Sequence, residues 1–252
     1  MIPTLSRLPV MDRARSSRRL VQTAKVERQY ASQLRKIAAH VGELINTIWV
    51  PEDPAVADRI GQALERYAQI IEPWARVVGR RMVEEIDSRD RRAWREASAE
   101  MSRLMQAQLN STDVGALTQQ RLGDQVRLIT SLPRDAAERV HKLTLEGLTQ
   151  GTRAREIAAE IMRSGQVSKS RADLIARTEV SRTSTEFTRA RAEDIGSTHF
   201  IWRTSRDSDV RPSHKALDGK TFRWDEPPEC DPGHHALPGA IWNCRCFPEP
   251  VF

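Results

Sequence analysis

The sequence contains few aromatic residues, few cysteines and no long apolar run. Aromatic residues make up 5% of the 252 residues, and only three residues are cysteine. No stretch approaches the roughly 20 apolar residues of a membrane span, so we predict no membrane partner. The N-terminal segment has arginines but no apolar run of signal-peptide length, so we expect no secretion. Three cysteines without an export signal indicate thiols or metal ligands rather than a disulfide framework.

Lysine is also scarce. It accounts for six of the forty basic residues, so thirty-four are arginine, and the formal net charge is +6. Arginine forms bidentate contacts with phosphate and carboxylate groups, which suits a partner such as double-stranded DNA. Arginines that only cover solvated helix faces would give the same composition, so charge alone identifies no partner. Residues 1–20, with five arginines and one aspartate, predict a flexible basic arm.

Residues 1–149 are dominated by helical periodicity. Apolar residues at three- and four-residue spacing predict an amphipathic helix over about 21–49, which ends before Pro51. The same pattern predicts further helices after Pro54, over about 74–109, over 114–132 and from Pro133 to Leu148. Pro133 is expected to open its helix, since a proline at the first position leaves no amide without a partner. No strand is needed in this region, and such helices can dock on other subunits.

Residues 150–252 have a different pattern. Two helices are predicted between residues 152 and 195, with Gly165 between them, Ser168 as the cap of the second and Gly196 at its end. His199–Thr204 is rich in aromatic and β-branched residues, which is typical of a strand. Asp218–Gly219 is a two-residue hairpin signal, and prolines punctuate the remaining loops. The predicted fold class is therefore α+β: a mostly α-helical N-terminal region, then a helix pair and a small antiparallel sheet with long loops.

The strongest candidate for a binding site is a metal centre. Cys244 and Cys246 are one residue apart, so an extended backbone points both thiols to the same face. Together with His214 they are the ligand types that zinc prefers, with Cys230, His234 or His235 as the fourth ligand. A C-x-C pair is not the C-x-x-C knuckle of common zinc folds. Buried thiols beside a hydrogen-bonded loop histidine are the alternative, in which no cofactor is bound.

Enzymatic motifs are incomplete. A zinc deaminase needs H-x-E and P-C-x-x-C, and neither His214-Lys215-Ala216 nor Cys244-Arg245-Cys246 meets that pattern. His234 and His235 with Asn243 would suit a metal-dependent nuclease, although histidines also occur by chance in such loops. We therefore predict no catalytic residue, no small-molecule substrate and a protein that is not an enzyme.

The helix pair also admits a DNA-binding interpretation. Residues 155–161, a turn at Gly165 and a helix from Ser168 resemble a helix-turn-helix, but the turn is longer than that motif allows. An antiparallel helix pair is the preferred interpretation. Arg177, Glu179 and Arg182 are predicted to form an ion-pair cluster that holds the second helix against the sheet. Asp207 and Arg211 are predicted to pair with each other in the loop before His214.

An ordered series of short motifs runs through the C-terminal part of the chain. From Ile175–Glu179 onward these motifs are formed by Asp207, Arg211–His214, Leu217, Asp218, Gly219, Lys220, Asp225–Pro228, Pro238, Gly239, Asn243, Cys244, Arg245, Cys246 and Pro248–Val251. The series resembles the C-terminal module of phage Mu F-like head morphogenesis proteins. Relatives in that family often carry a fuller set of cysteines and histidines, with cysteines where this chain has Arg211 and His214 and a histidine where it has Ile241.

The resemblance implies a minor head (minor capsid) protein of a tailed phage or prophage. Such proteins join the procapsid with the portal, act in head morphogenesis and on the state of the packaged DNA, and contact capsid and scaffold proteins. The expected location is the virion, inside the head near the portal, after assembly in the host cytoplasm. We predict a docking region at 1–149 and a Mu F-like module at 150–252. The alternatives are a DNA-binding head protein that uses arginine-rich helices and a metal-dependent hydrolase built on His214 and the cysteines.

Overall fold

The computed structural model describes residues 21–50, 53, 55–101, 103–150 and 154–251. The predicted basic arm at residues 1–20 lies outside the described residues. The helices are α1 Ala24–Ile48, α2 Val56–Ile70, α3 Glu72–Ala97, α4 Arg103–Ser111, α5 Gly115–Gln150, α6 Ala154–Met162, α7 Ser164–Asp194 and α8 Pro212–Leu217. The strands are β1 His199–Arg203, β2 Thr221–Arg223, β3 Glu229–Asp231, β4 His234–His235 and β5 Phe247–Val251. The α+β fold class predicted from the sequence is confirmed. No described helix combines the length and apolar character that a membrane span requires.

The predicted helix over 74–109 is interrupted. Helix α3 ends at Ala97, a short 3-10 helix covers Ser98–Glu100, and α4 begins at Arg103. The Gln106 side chain donates hydrogen bonds to the backbone oxygens of Ser98 and Met101, 2.8 and 3.1 Å away. The oxygen of Ser98 also accepts a hydrogen bond from the amide of Met101, so Gln106 supplies it with a second donor and bonds the carbonyl of Met101 at the break. The apolar periodicity continues across the break, which is why the sequence predicted one helix.

The sequence predicted that Pro133 opens a helix. In the structure Pro133 lies inside α5. A proline in a helix interior removes one hydrogen bond and costs about 3 kcal/mol. The apolar residues around it, Ile129, Leu132, Ala136 and Val140, are all buried. The packing of this face offsets the cost, so the helix continues through the proline.

The boundary between the two helices of the predicted pair also differs from the prediction. Only Arg163 separates α6 from α7, and Gly165 and Ser168 lie inside α7. Ser168 therefore does not cap the helix. Gly165 is needed for another reason, because its Cα lies against the backbone of Gly42 in α1. Gly196 does end α7, with a φ of +91° that glycine adopts without strain.

The chain forms two compact units. The helical unit comprises Lys25–Val83 and Thr118–Arg177. Its core is built from the apolar stripes that the sequence shows, including Leu34, Val41 and Ile60. The hydroxyl of Tyr30 donates a hydrogen bond to Oε1 of Gln125, which is itself fully buried. The division of the chain at residues 149 and 150 remains a prediction that follows from the resemblance.

The sheet unit comprises residues 21–24, Glu84–Leu117 and the chain from Thr178 onward. Its main sheet has the order β2-β1-β5, with both neighbours antiparallel to β1. Strands β3 and β4 form a separate two-stranded sheet. Three tryptophans, Trp94, Trp202 and Trp224, are fully buried in the core of this unit together with the three cysteines. Three of the chain's few aromatic residues thus share a core with the candidate site.

Asp218 and Gly219 do not form the two-residue hairpin that the sequence predicts. Helix α8, and not a strand, precedes them. Gly219 has a φ of +80°, and its amide donates a hydrogen bond to the backbone oxygen of Trp202 in β1. Oδ1 of Asp218 accepts a hydrogen bond from the amide of Thr204. The pair therefore ends α8 and sets the entry of β2 beside β1.

Candidate metal centre

Helix α7 is the element on which the C-terminal loops of the sheet unit are fixed. From Thr178 onward it is buried although most of its residues are polar. The buried polar residues are Thr178, Glu179, Ser181, Thr183, Ser184, Thr185, Thr188 and Arg191. Small hydroxyl side chains let neighbouring backbone approach closely and offer hydrogen bonds to loops, which have no partners of their own.

Loop 238–246 is bonded to α7 along its length. Thr185 donates to the backbone oxygen of Pro238 at 2.7 Å, and Arg182 donates twice to that of Ala240, at 2.7 and 3.0 Å. The amide of Asn243 donates to Oγ1 of Thr178. Arg182 is held in turn by the fully buried carboxylate of Glu179 at 2.7 Å. Glu179 and Arg182 therefore hold the helix against the following module at this loop, which is the kind of contact that the sequence predicted for them.

Arg177 does not belong to that cluster. Its Nε lies 3.4 Å from Oε1 of Glu27, in the helical unit. The sequence placed Arg177 with Glu179 because they are two residues apart, but such residues lie on different sides of a helix. The three-residue cluster predicted from the sequence is therefore reduced to Glu179 and Arg182.

His214 and the cysteines of loop 238–246 meet in the core of the sheet unit. Nδ1 of His214 lies 3.5 Å from Sγ of Cys244 and 3.5 Å from Sγ of Cys246. The three donor atoms all lie within 4.8 Å of one another. The three residues are only 2 to 3% exposed. The two thiols thus share a face and His214 reaches both of them, an arrangement that the spacing and the ligand chemistry predicted.

The two thiols are electrostatically unequal. The hydrogen bond from Cys246 lowers the pKa of Cys244 to about 4, and a further hydrogen bond from His214 acts in the same direction. The pKa of Cys246 is raised, first because its proton is shared with Cys244 and then because of burial. One thiolate at this position is therefore already stabilised by the protein, and thiolates are the form in which cysteine binds metals.

Asp231 supports His214 from the opposite side of the imidazole ring. Its Oδ1 lies 3.7 Å from Nε2 of His214, and this Nε2 is buried without a hydrogen bond in the described part of the chain. The same Oδ1 accepts a hydrogen bond from Ser213 at 2.8 Å, and Oδ2 lies 3.6 Å from Nη1 of Arg211. Sequence reasoning missed Asp231, because no spacing rule relates β3 to α8.

The other predicted ligands lie elsewhere. Cys230 is buried in the same core cluster, but its thiol donates to the backbone oxygen of His234, and burial raises its pKa. His234 and His235 are exposed on β4. Nδ1 of His235 lies 3.1 Å from the backbone oxygen of Pro227. Among the described residues, the group of close donor atoms therefore contains His214, Cys244 and Cys246 but not these three.

Asp207 and Arg211 do not pair with each other as predicted. Asp207 lies 3.4 Å from Nη1 of Arg245, and Arg211 contacts Asp231. Arg211 also donates to the backbone oxygen of Trp242 at 2.8 Å. Asp207 does lie in a turn before α8 begins at Pro212, as predicted, but its partner there is Arg245. The result is that both residues tie loop 238–246 to the segment around α8.

Comparison with known proteins gives one family. Residues 138–248 match the family model described as "Phage Mu protein F like protein". An uncharacterized protein of Haemophilus influenzae is 33% identical over 126 residues, which is 50% of this chain but only 27% of that protein. No solved structure matches the chain. The matched residues include all of α6 and α7, the chain from β1 to the first two residues of β5, and the three residues of the candidate centre. The C-terminal part of this chain is therefore similar to the Phage Mu protein F like family, whose model it matches over residues 138–248.

Proposed function

We propose that the protein is a minor head protein of a tailed phage or prophage that acts in head morphogenesis in association with the portal. The observation that carries this proposal is the family match over residues 138–248. The burial of the candidate centre supports a structural and not an enzymatic role. A substrate would have no access to donor atoms on residues that are only 2 to 3% exposed.

Residues 1–149 would supply the docking surface. Five of the eight large apolar residues that the structure exposes lie there: Val50, Ile70, Val77, Leu104 and Leu145. Ile70 and Val77 are the two most exposed β-branched residues among them, at 75% and 63%. Apolar side chains of this kind bind well when they enter a pocket of a partner.

Co-purification with the portal protein of the same phage or prophage tests the proposal. The full chain is expected to be retained by tagged portal. The double variant Ile70→Glu and Val77→Glu should lose most of this retention, because two charges would have to be buried at the interface. Trp242→Glu, a matched change at a 46% exposed apolar residue outside residues 1–149, should keep it. Equal binding by all three proteins would contradict the docking region, and no binding by the wild type would contradict the portal partner.

A DNA-binding head protein is the second candidate. Arg80, Arg81, Arg92 and Arg95 on α3 are exposed and make no ion pair within the described residues. Unpaired arginines of this kind are available to phosphate groups. The helix pair gives no support to a helix-turn-helix, because one residue separates α6 from the 31-residue α7.

The salt dependence of DNA binding distinguishes the DNA-binding head protein from the portal-associated head protein. Binding to plain duplex DNA would weaken steeply with salt. Replacing Arg92 and Arg95 by Gln should reduce the slope of log K against log [salt] by about one for each arginine that binds a phosphate in the wild type. The same replacement at Arg35, which is paired with Asp173, serves as the control. A slope that is unchanged in the Arg92 and Arg95 variant would count against this candidate.

A further inference from the structure

We propose that His214, Cys244 and Cys246 bind one zinc ion that holds the C-terminal loops of the sheet unit together. Nδ1 of His214 and the two Sγ atoms would be the protein ligands, and zinc would complete its shell with a ligand from outside this group. This inference goes beyond the role in head morphogenesis and does not depend on it, because it concerns how the module is stabilised.

The spacing of the donor atoms fits zinc. Zn–S bonds of about 2.3 Å and Zn–N bonds of about 2.0–2.1 Å in a tetrahedron place S and N about 3.5 Å apart. The two distances from Nδ1 of His214 to Sγ of Cys244 and Cys246 are both 3.5 Å. Two independent separations thus match the edge lengths of a tetrahedral site. A histidine that only packed against one thiol would have no reason to be equidistant from both.

The types of donor atom select the same metal. Two thiolates and an imidazole suit zinc, whereas calcium and magnesium require oxygen ligands. All three side chains are buried, and the edge of the Trp202 ring faces the His214 ring with centroids 5.4 Å apart. The site is therefore shielded from solvent by the surrounding core.

Asp231 occupies the position of an outer-sphere partner. A histidine that binds metal through one ring nitrogen usually donates its other N–H to a carboxylate, which fixes the ring and its tautomer. Nε2 of His214 faces Oδ1 of Asp231 at 3.7 Å and has no hydrogen bond within the described residues. With Nδ1 on the metal, Nε2 must carry the proton, and a small movement of the ring gives it an acceptor. This accounts for a buried nitrogen that is otherwise unsatisfied.

The ion would add to the polar contacts through which Asp207 and Arg211 already tie the segment around α8 to loop 238–246. His214 lies on α8, and Cys244 and Cys246 precede β5, so one ion links the middle of the module to its last strand. Small domains often use a metal in this way where the apolar core is limited. Removal of the ion should therefore lower the folding stability of the module.

Metal content of the full chain tests the assignment directly. Protein produced in zinc-supplemented medium and freed of loose metal by gel filtration should contain about one zinc per chain by mass spectrometry. Replacement by Co²⁺ should produce thiolate-to-metal charge-transfer absorption and the visible bands of a tetrahedral site. Removal of the metal by a chelator should lower the melting temperature by roughly 5 to 15 °C. Absence of zinc together with absence of a Co²⁺ spectrum would overturn the proposal without the need for any variant.

Variants then identify the ligands. His214→Gln, Cys244→Ser and Cys246→Ser should each lose most of the zinc, and Asp231→Asn should weaken zinc binding about 10- to 100-fold. Cys230→Ser and His235→Gln are the controls for a buried thiol and an imidazole outside the group, and both should retain about one zinc. Equally low zinc content in the controls and the ligand variants would contradict the assignment to these three residues.

Discussion

Gly165 of α7 and Gly42 of α1 are in backbone contact. A Cβ atom added to Gly165 would lie 2.9 Å from Cα of Gly42, and one added to Gly42 would lie 3.3 Å from Cα of Gly165. Both residues belong to the helical unit, where the two glycines let the helices approach each other. Gly165 is thus a packing residue within a helix, and not the turn that its identity suggested.

Gly165→Ala is expected to destabilise the protein. The added methyl meets a backbone atom that cannot rotate away, and overpacking of this kind costs about 1–3 kcal/mol. Gly61→Ala is the control, because a Cβ there meets no heavy atom within 4 Å in the described structure. That change should stabilise α2 by about 0.5–1 kcal/mol through helix propensity alone. Chemical denaturation measures both, and changes of the same sign would contradict the contact.

Gly239→Ala should destabilise the sheet unit more than Gly233→Ala. Both glycines have positive φ, +83° and +75°, so each replacement incurs the backbone strain of about 1–2 kcal/mol. Only at Gly239 would the Cβ also meet fixed atoms, 2.8 Å from the backbone oxygen of Cys246 and 3.0 Å from Oγ1 of Thr185. The difference between the two variants in free energy of unfolding therefore reports the crowding of Gly239 against Cys246 and α7. Equal destabilisation would show that loop 238–246 is less tightly held than the structure indicates.

The contribution of Asp90 to the free energy of unfolding is expected to decrease as the pH rises from about 4 to 6. Burial raises the pKa of this carboxyl from 3.8 to about 6, against the opposing effect of Arg191 and Thr188. The folded protein therefore binds a proton that the unfolded chain has already released, so the free energy of unfolding decreases through this window. The shift of about 2 pKa units corresponds to roughly 3 kcal/mol. The nearby carboxylate of Asp87, which contacts Arg191, also raises the pKa of Asp90.

The measurement compares wild type with Asp90→Asn, which cannot titrate. The stability of the wild type relative to the variant should be greater at pH 4 than at pH 7. The variant should still keep the contact between Arg191 and Asp87, whose oxygen lies 2.6 Å from Nη2. If the stability of the wild type relative to the variant increased with pH, the ion pair between Asp90 and Arg191, and not burial, would dominate the pKa of Asp90.

Asp207→Asn should have little effect on stability. The pair with Arg245 spans 3.4 Å, and the two side chains are 36% and 30% exposed. Ion pairs with such exposure contribute about 0–1 kcal/mol. Thermal melting of the variant should therefore match the wild type within about 2–4 °C. A larger decrease would indicate that Asp207 holds the loop before α8 through contacts other than this pair.

The sequence predicted the helical unit better than the sheet unit, for a physical reason. Apolar periodicity identified α1 and α2, because their buried faces consist of residues such as Leu34 and Ile60. Apolar periodicity does not predict the burial of the second half of α7, because this part is lined by Thr178, Thr185 and other hydroxyl residues. Their burial depends on loops that bond to them, and those loops are distant in sequence.

The candidate centre was predictable only in part. Residues one apart on extended backbone share a face, so Cys244 and Cys246 were expected to act together. Their meeting with His214 was an expectation from ligand chemistry, and the exclusion of Cys230 from the group was not foreseeable from spacing. Asp231 is recognisable only from tertiary structure, because β3 and α8 are brought together by contacts that leave no periodic pattern.

Strand β5 limits how copies of this protein can associate. Trp202 in β1 uses both its amide and its carbonyl group toward the β2 side, with Lys220 and Gly219. Its cross-strand neighbour Pro248, and Pro250 two residues on, therefore direct their nitrogen atoms away from β1, to the open edge. That edge lacks two of the amide donors that an incoming strand would need. Crowding many copies into a confined space should consequently not lead to growth by strand addition at the β5 edge.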